Sequence, residues 1–510
     1  MPLNEETKHS QEMSNFDEGK HEGKVTKVLT FTVASAVIGS SLQFGYNTGV
    51  INAPQQVITD WINESYYDRT NKLLSEDTVD FLWSTTVAIF AIGGMIGSFT
   101  AGPMANRLGR KRGLLLNNVL ALIGALFMGF SKQANSCEML IIGRFVIGIN
   151  CGINTGIVPM FLSEIAPFDL RGGVGVFNQL GVTFGILISQ IFGLKDLLGT
   201  EDLWALLLGL TAVPAIFQIL VLPFCPESPR YLLINKDQPK EAEKALKRLR
   251  NLNDVSYDIN EMQAEYDNEQ KEDKVSVKQL FQMKSLRLPL IISIVMQLSQ
   301  QLSGINGVLY YSTSIFEDAG IDPDKSAYAT LSTGTVMVIM TIVTIPLMDK
   351  TGRRTLHLWG LGLMALWASI LTVSLATKDL WGSSSYLSIV AVIAFVVAFA
   401  LGPGSIPWLI VAELFSQGPR GAAISVAFFI NWSANFLVGL TFPFLQKSLD
   451  AYVFVIFIIL LVIFWLFTYK FLPETKNKSF EEISAIFRKE AGKKDEYVSM
   501  ATTEKPENQI

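Results

Sequence analysis

Cysteine and histidine are scarce in this sequence, and their scarcity excludes several classes of protein. The 510 residues include three cysteines and three histidines. Cys137, Cys151 and Cys225 lack the spacing of metal ligands, and three thiols cannot build a framework of several disulfides. Three histidines are too few for the usual histidine-based metal sites and catalytic centres, and the sequence offers no nucleophile–base pair or phosphate-cradling loop. We therefore predict a protein that is not an enzyme and that uses no metal or cofactor.

Charged residues are also scarce. They make up 17% of the chain, against about 25% in ordinary soluble domains, whereas 49% of the residues are hydrophobic and 33 are phenylalanine. The net charge is −5 and the sequence has no concentrated basic patch, which disfavours nucleic acid as a partner. There is too little charge to cover a water-facing surface, so the composition predicts that membrane lipid is the main solvent.

Twelve apolar stretches are long enough to span a membrane, since a spanning helix needs about 20 apolar residues. We predict an all-α membrane protein with twelve transmembrane helices in two six-helix pseudo-repeats and a cytoplasmic helical linker. Spans 1 to 12 are predicted near residues 28–50, 82–104, 113–131, 139–161, 175–194, 203–224, 288–310, 327–348, 355–376, 386–411, 421–445 and 452–472. The predicted domains are an N-terminal tail (1–24), a first bundle (25–225), a linker (226–286), a second bundle (287–473) and a C-terminal tail (474–510).

Loop charges predict the orientation, because short loops rich in Lys and Arg stay in the cytoplasm. The loops on the side of the tails carry nine bases, Arg107, Arg110, Lys111, Arg112, Arg171, Lys350, Arg353, Arg354 and Arg420. The first loop on the other side carries six acids, Asp60, Glu64, Asp68, Glu76, Asp77 and Asp80. We therefore predict a multi-pass membrane protein with both termini cytoplasmic and residues 51–80 outside, where Asn63 begins a glycosylation sequon. No cleavable signal is predicted, because the first apolar stretch has span length and follows a polar tail.

Three charged motifs recur in the two halves, each after an even-numbered span and with an offset of roughly 245 residues. Such repetition predicts two parallel repeats, an architecture typical of transporters. The pairs are Arg107–Lys111 with Lys350–Arg354, Glu164–Arg171 with Glu413–Arg420, and Pro226–Arg230 with Pro473–Lys476. Their acids and bases can form an ion-pair network at the cytoplasmic helix ends that is made in one conformation and broken in another. The alternative is a set of topology signals and solvated pairs, each worth little. The predicted members are Arg110, Glu164, Arg171, Glu227, Arg230, Arg353, Arg354, Glu413, Arg420 and Glu474.

The spans contain almost no acidic residues, but several contain amides. At about 100° per residue, Gln297, Gln300 and Gln301 share one face of span 7, and Asn431 and Asn435 share one face of span 11. A carboxamide both donates and accepts hydrogen bonds without charge, which suits a neutral, polyhydroxylated ligand. The alternative is hydrogen bonding between helices, a common use of Asn and Gln in lipid.

Glycine and proline interrupt two spans near mid-depth, span 7 at 304–307 and span 10 at 402–407. Broken helices are tolerated beside a water-filled cavity. Trp408 follows the second break, and its ring suits the apolar side of a sugar, with packing against lipid or core as the alternative. Tyr310 and Tyr311 are predicted to close the cavity as an outer gate, with an interfacial aromatic belt as the alternative.

Together these motifs resemble the sugar-porter branch of the major facilitator superfamily, and closely the animal facilitative glucose transporters, over about residues 25–490. The resemblance rests on Gly45–Val50, Asn106–Arg110, Pro226–Arg230, Gln297–Asn306, Tyr310–Phe316, Gly352–Thr355, Ile406–Trp408, Ala412–Arg420 and Pro473–Lys476.

This resemblance implies alternating access around a central hexose site, with glucose as the preferred sugar. The pocket positions of the family correspond to Gln179, Gln300, Gln301, Asn306, Trp408 and Asn435. Gln297, Leu298 and Ser299 are similar to the signature that the family associates with glucose rather than fructose. Proton-coupled relatives have an Asp in span 1 where this chain has Asn47, which favours uniport. Met337 and Ala400 replace polar residues that the family usually has near the pocket, so the ranking of sugars stays open.

Two other functions remain open. A proton–sugar symporter needs an acid in the translocation path, and Glu164 or Glu413 would have to serve. A sugar sensor of the same fold would bind without transport, although sensors tend to have longer cytoplasmic tails than residues 488–510. That tail, with Tyr497 and Ser499, is a candidate segment for a cytoplasmic partner, and plain disorder is the alternative.

Overall fold

The structure is a computed structural model that describes residues 24–167, 170–270, 275–378, 380, 384–476, 478, 482, 483 and 487. Eleven helical stretches among these residues are long and apolar enough to cross a membrane. The last of them, Gly418–Phe471, contains two helices, Gln417–Leu449 and Val453–Phe471, separated by a 3₁₀ turn at Asp450–Tyr452. The prediction of an all-α membrane protein with twelve spans is therefore confirmed.

The spans keep their predicted order and numbers, and several are longer than predicted. Spans 1 to 6 are Lys27–Gly49, Glu76–Leu108, Arg110–Gly129, Cys137–Ile165, Arg171–Phe192 and Trp204–Phe224. Spans 7 to 12 are Lys284–Gln301 with Ile305–Asp318, Pro323–Thr351, Arg353–Ala376, Ser384–Leu401 with Ile406–Leu414, Gln417–Leu449 and Val453–Phe471. Spans 7 and 10 each consist of two helices, and the breaks lie where the Gly and Pro residues predict them. Span 6 is also interrupted, between the helices Trp204–Gly209 and Ala212–Val221, which the sequence analysis did not predict.

The chain forms two compact units that differ from its two sequence halves. Unit 1 contains the described residues of 24–47, 96–189 and 205–270, and unit 2 contains 48–95, 190–204 and the described residues from 275 onward. Unit 2 therefore combines the second sequence repeat with the outer ends of spans 1, 2 and 5. The predicted domain boundaries are those of the sequence repeats, and they stay a prediction.

The loop between spans 1 and 2 contains a helix that the sequence analysis did not predict. Gln55–Thr70 is helical, and its Ile58, Trp61 and Ile62 are buried. The ring centroid of Trp61 lies 4.8 Å from that of Trp204. The many charged residues of 51–80 predict an ordinary polar loop, and they hide the periodic apolar residues of this helix.

The polar linker is helical, as predicted, and its helices are Pro239–Arg250, Ser256–Gln270 and Val277–Gln282. Arg250 Nη1 donates to the Ile165 carbonyl at the end of span 4 at 2.8 Å. Thr26 Oγ1, just before span 1, donates to the Leu249 carbonyl at 2.6 Å. The first linker helix is thus attached to two spans of unit 1.

Candidate functional site

Span 7 carries the amide face that the sequence predicts. Gln297, Gln300 and Gln301 lie at the end of the helix Lys284–Gln301 and are buried. Their carboxamides converge on Asn431 of span 11, whose Nδ2 donates to Oε1 of Gln297 and to Oε1 of Gln300, both at 2.7 Å. Gln301 Nε2 donates to Asn431 Oδ1 at 2.9 Å. We call these four residues and Asn306 the amide cluster.

The amide cluster also binds the broken backbone of span 10. Gln300 Nε2 donates to the carbonyl oxygens of Pro403 and Gly404, at 3.2 and 2.6 Å. Gln297 Nε2 donates to the Pro407 carbonyl at 3.3 Å. Glycine and proline leave carbonyls without helical partners, and buried carbonyls need a hydrogen bond from elsewhere. The glutamines of span 7 satisfy the carbonyls that the break exposes.

Asn306 joins the cluster because span 7 breaks just before it. Gly304 has φ +92°, and a Cβ there would lie 2.9 Å from the Phe457 ring. Glycine adopts this left-handed backbone without strain, so the chain can turn and begin a second helix. Asn306 Nδ2 then donates to Gln301 Oε1. The break thus positions an amide from the outer helix of span 7 against the amides of the inner helix.

The two tyrosines of the predicted outer gate are both 1% exposed. Tyr310 donates its hydroxyl to Asn435 Oδ1 at 3.2 Å, which joins the predicted gate to a predicted pocket residue. Tyr311 donates to the Gly439 carbonyl at 3.0 Å, and its ring stacks on Phe442 at 5.3 Å and 12°. The backbone at Tyr311 is non-helical, with φ −132° and ψ 15°, so the outer helix of span 7 bends at this residue.

Trp408 and Gln179 lie outside the hydrogen-bonded cluster. Trp408 is half-buried, and its ring centroid lies 5.2 Å from that of Phe428 at a tilted angle. Gln179 is half-buried in span 5 and belongs to unit 1, whereas the other predicted pocket residues belong to unit 2. The Gln179 side chain has no hydrogen-bond partner among the described residues.

The three predicted selectivity residues have different surroundings. Gln297 belongs to the amide cluster, and Leu298 is half-buried. Ser299 is fully buried and lies on another face of span 7, where its hydroxyl is 3.2 Å from Nε2 of His357 in span 9. One residue of the signature therefore contacts the cluster, and another contacts a neighbouring helix.

The residues of the amide cluster already form hydrogen bonds within the protein, and these bonds decide what kind of ligand the cluster can bind. Each member forms a hydrogen bond with a side chain or a carbonyl of the protein, and the exposed fractions range from 0 to 8%. A ligand with several hydroxyl groups can replace these bonds one for one, since a hydroxyl also donates and accepts. An anion or a cation would find no compensating charge among these five residues. The cluster thus joins spans 7, 10 and 11 and also offers exchangeable bonds to a neutral ligand.

Comparisons with known proteins agree with this geometry. A family model described as "Sugar (and other) transporter" matches residues 32–487. The facilitated glucose transporter member 3 of solute carrier family 2 from Ovis aries is 53% identical over 464 residues, which cover 91% of this chain and 93% of that protein. The same protein from Homo sapiens is 53% identical over 468 residues, covering 92% and 94%. The chain belongs to the sugar transporter family.

Solved structures support the same conclusion for the fold of this transporter. The partially occluded, inward-open conformation of the xylose transporter XylE from E. coli matches with a TM-score of 0.74 at 26% identity, covering 89% of this chain and 100% of that one. The proton:xylose symporter XylE bound to 6-bromo-6-deoxy-D-glucose matches with a TM-score of 0.72, also at 26% identity, covering 91% and 100%. The transporter therefore has the major facilitator fold that the sequence motifs predicted.

At the helix ends that are predicted to face the cytoplasm, both repeats form an Arg–Glu pair between equivalent spans. Arg110 Nη2 contacts Glu164 Oε1 at 2.7 Å, and Arg353 Nε contacts Glu413 Oε1 at 3.2 Å. The side chains of the first pair are 6 and 9% exposed, and those of the second are 20 and 27% exposed. The Arg110–Glu164 pair is thus the more strongly desolvated. Removing one of its partners is expected to lower stability more than the same change in the Arg353–Glu413 pair.

Glu227 and Glu474 have a role that the predicted ion pairs did not include. Glu227 Oε1 accepts from the backbone N–H groups of Arg110 and Lys111, at 3.2 and 3.0 Å. Glu474 accepts in the same way from Arg353 and Arg354, at 2.8 and 3.1 Å. A carboxylate is favourable at a helix N-terminus, where backbone N–H groups lack partners. The two acids therefore cap spans 3 and 9.

Left-handed glycines make this capping possible. Gly109 and Gly352 have φ +93° and +98°. A Cβ at either position would lie 2.6 Å from a carboxylate oxygen, of Glu227 or of Glu474. Only glycine accepts both the backbone conformation and the close approach.

The remaining predicted members bind other groups. Arg171 and Arg230 each contact Glu265 of the linker at 2.9 Å, one on each carboxylate oxygen. Arg354 Nη2 donates to the Tyr469 carbonyl at 2.6 Å, and Arg420 donates to the Phe415 carbonyl at 3.0 and 3.1 Å. The network therefore extends into the linker and to carbonyls at helix ends.

The predicted glycosylation residue, Asn63, lies in the unexpected outer helix Gln55–Thr70. Its Oδ1 accepts from the Leu74 backbone N–H at 3.1 Å, and Ser65 of the sequon is fully buried.

Several contributors were missing from the predicted set. Asn431 shared a predicted face with Asn435, but its central place among three glutamines required the structure. Ser228 Oγ donates to Glu164 Oε2 at 2.5 Å, and Thr475 Oγ1 donates to Glu413 Oε2. The matching positions of Ser228 and Thr475 in the repeated motifs were the available signal. No sequence signal distinguished Glu265, because it is one of many acids in a polar linker.

Proposed function

We propose that this protein is a facilitative hexose uniporter of the plasma membrane, with D-glucose as its preferred substrate. The observation that carries the proposal is the uncharged amide cluster, bonded to the broken helix of span 10. The curated relatives named above, at 53% identity, are facilitated glucose transporters. The proposal transfers their activity to this chain and assigns the cluster as the place where the sugar binds.

Binding in this proposal is an exchange of hydrogen bonds. Sugar hydroxyls replace the bonds that Gln300, Gln301, Asn306 and Asn431 form with one another. Because each bond made to the sugar replaces one in the free protein, the net gain is small. Millimolar affinity corresponds to about −4 kcal/mol, which a few such bonds supply. Weak binding suits a uniporter, which must release its substrate on the other side.

The remaining predicted residues complete the proposed site. Trp408 packs against the apolar side of the sugar, and Gln179 stays a predicted pocket residue. Tyr310 and Tyr311 close the outer side, and the hydrogen bond from the Tyr310 hydroxyl to Asn435 supports this part of the proposal.

Alternating access requires contacts that join the repeats in one state and separate in another. Within unit 2, the outer end of span 1 is bonded to span 7. Asn52 Nδ2 donates to the Leu309 carbonyl at 2.9 Å and to Ser312 Oγ at 2.7 Å. Lys447 of span 11 contacts Asp77 and Asp80 of span 2 at 2.9 and 3.2 Å. In this proposal these bonds break when the outer side opens, and the Arg–Glu pairs of the cytoplasmic ends change with them.

Uniport is favoured over proton symport by the groups around span 1. Residues 24–50 contain no Asp or Glu, and position 47 is Asn. Arg144 of span 4 is fully buried, and its Nη1 donates to the backbone carbonyl of Asn47 at 2.9 Å. The two acids that a symporter would need are engaged, since Glu164 accepts from Arg110 and Ser228 and Glu413 accepts from Arg353 and Thr475.

Counterflow in proteoliposomes tests the proposal. Purified protein should exchange labelled D-glucose and not L-glucose, and an imposed pH gradient should produce no uphill accumulation. Accumulation that a protonophore abolishes would identify a symporter instead. Binding without counterflow would identify a sensor. Parallel measurements with fructose and galactose rank the sugars.

The orientation and glycosylation belong to the same proposal. Both termini face the cytoplasm and the Asn63 sequon faces outward. Peptide N-glycosidase should shift the mobility of the wild-type protein from cells and leave Asn63→Gln unchanged.

A further inference from the structure

His357 of span 9 is a buried polar residue that the proposed transport site does not use. It is 0% exposed, and its Nε2 lies 3.2 Å from the Ser299 hydroxyl, which is also 0% exposed. Its other ring nitrogen, Nδ1, has no hydrogen-bond partner among the described residues. A buried polar atom without a partner lowers stability, so the position carries a cost that an apolar residue would avoid.

The hydrogen-bond geometry favours one tautomer of the imidazole. Ser299 Oγ donates its only proton to the Met296 carbonyl at 2.7 Å. The hydroxyl can therefore only accept from His357, which places a proton on Nε2. A proton on Nδ1 as well would be buried without an acceptor among the described residues. The ring is accordingly a neutral donor with a bare Nδ1.

His357 lies where spans 7, 9 and 10 contact one another. A Cβ at Gly402, in the break of span 10, would lie 2.4 Å from the Leu356 carbonyl oxygen and 2.9 Å from the Cα of His357. A Cβ at Gly360, one turn further along span 9, would lie 2.2 Å from Cδ of Pro403. Span 9 therefore contacts the broken segment backbone to backbone, and Pro403 and Gly404 are the residues that Gln300 binds.

Ser299 and Gln300 are neighbours in span 7 but point in different directions. Gln300 binds the amide cluster and the break, whereas Ser299 binds His357. The bond from His357 thus restrains the rotation of span 7 about its axis, and this rotation sets the distance between the carboxamides and the broken span 10.

We propose that His357 is a positioning residue for the amide cluster, acting through Ser299 to hold the glutamines of span 7 at the geometry in which they bind the sugar. This inference rests on the proposed hexose transport. It predicts that loss of the hydrogen bond between His357 and Ser299 lowers the affinity for sugar more than it lowers the maximal rate, although neither residue contacts the sugar.

The test compares four variants in proteoliposomes: Ser299→Ala, His357→Leu, His357→Gln and the double variant Ser299→Ala/His357→Leu. Ser299→Ala and His357→Leu should each raise the KM for glucose about fivefold, the loss of about one hydrogen bond, with the maximal rate per transporter within about twofold of wild type. His357→Gln places an amide N–H near Nε2 and should keep the KM close to wild type. The double variant should be no worse than His357→Leu, because both changes remove the same bond.

The outcomes that would overturn the inference are separate from those that concern transport. An unchanged KM in Ser299→Ala would refute it, even if His357→Leu fails to fold. A lower maximal rate at constant KM in both single variants would show a purely structural role and would also refute it. Failure of the wild-type protein to exchange glucose would refute the proposed function instead.

A spectroscopic readout tests the bond without any transport. In a His9→Gln/His21→Gln background, His357 is the only histidine, and ¹⁵N NMR of the ring distinguishes the two tautomers from the imidazolium. The inference expects the tautomer with the proton on Nε2, with a ring signal that shifts in Ser299→Ala. A proton on Nδ1, or a signal that is unaffected by Ser299→Ala, would overturn it.

Discussion

Buried amides occur in both compact units, and they are used differently. In unit 1, Asn117 and Asn150 exchange bonds between spans 3 and 4, each Nδ2 donating to the backbone carbonyl of the other at 3.0 and 2.9 Å. Gln218 of span 6 accepts from Asn118 at 2.8 Å and donates to Ser40 at 3.0 Å. These four amides are at most 1% exposed. They join helices of unit 1 to one another, and Asn117 and Asn150 do so between two unbroken helices. This is the structural use of amides that the sequence analysis had kept as an alternative.

The amide cluster of unit 2 differs in its partners rather than in its chemistry. Its members bind one another and the carbonyls of a broken helix, and Gln300, Gln301 and Asn306 retain 4 to 8% exposure. A carbonyl freed by a helix break accepts equally well from an amide, from water or from a ligand. The two groups therefore differ in what they bind: Gln300 binds carbonyls at a helix break, whereas Asn117 and Asn150 bind carbonyls of unbroken helices.

Removing the amide that binds the break should have the largest effect. Gln300→Ala loses the bonds to Pro403 and Gly404 as well as a bond to Asn431, and we expect glucose counterflow to fall by more than about tenfold, since about 1.4 kcal/mol is tenfold. Surface expression should stay normal. Asn306→Ala should act in the same direction. Unchanged uptake in both variants would defeat the assignment of the site.

Removing the centre of the cluster should have an intermediate effect. Asn431→Ala breaks the bonds to three glutamines but leaves those between Gln300 and the break, so we expect the KM for glucose to rise about fivefold. Asn118→Ala, the same substitution at a buried amide of unit 1, is the matched control. Equal changes of KM in the two variants would remove the distinction between the units.

Removing an amide of unit 1 should change stability and hardly change transport. Asn117→Ala removes the bond to the Asn150 carbonyl and leaves the buried Oδ1 of Asn154 without its donor, which is expected to cost about 1–3 kcal/mol of stability. The melting temperature of the detergent-solubilised protein should fall by several degrees, and the KM for glucose should stay at the wild-type value. A higher KM at constant melting temperature would mean that unit 1 amides also bind the sugar.

Much of the architecture was readable from local patterns. The twelve spans follow from apolar length. The break at Gly304 follows from the backbone freedom of glycine, and the break at Gly402 from the proline that comes next in the chain. The common face of Gln297, Gln300 and Gln301 follows from helical periodicity. The helix Gln55–Thr70 was missed because its apolar residues are buried by tertiary contacts, such as that of Trp61 with Trp204, rather than by lipid.

The sequence by itself determined the solvent, the number of spans, the repeat and the supply of uncharged amides, because each depends on composition or on spacing along one helix. The tertiary structure alone decided which amides face a broken helix and which join intact ones. It also decided that Glu265 reaches two arginines and that Ser299 turns toward His357. These pairings bring together side chains from distant parts of the chain, and their partners are set by helix packing, which no local pattern encodes.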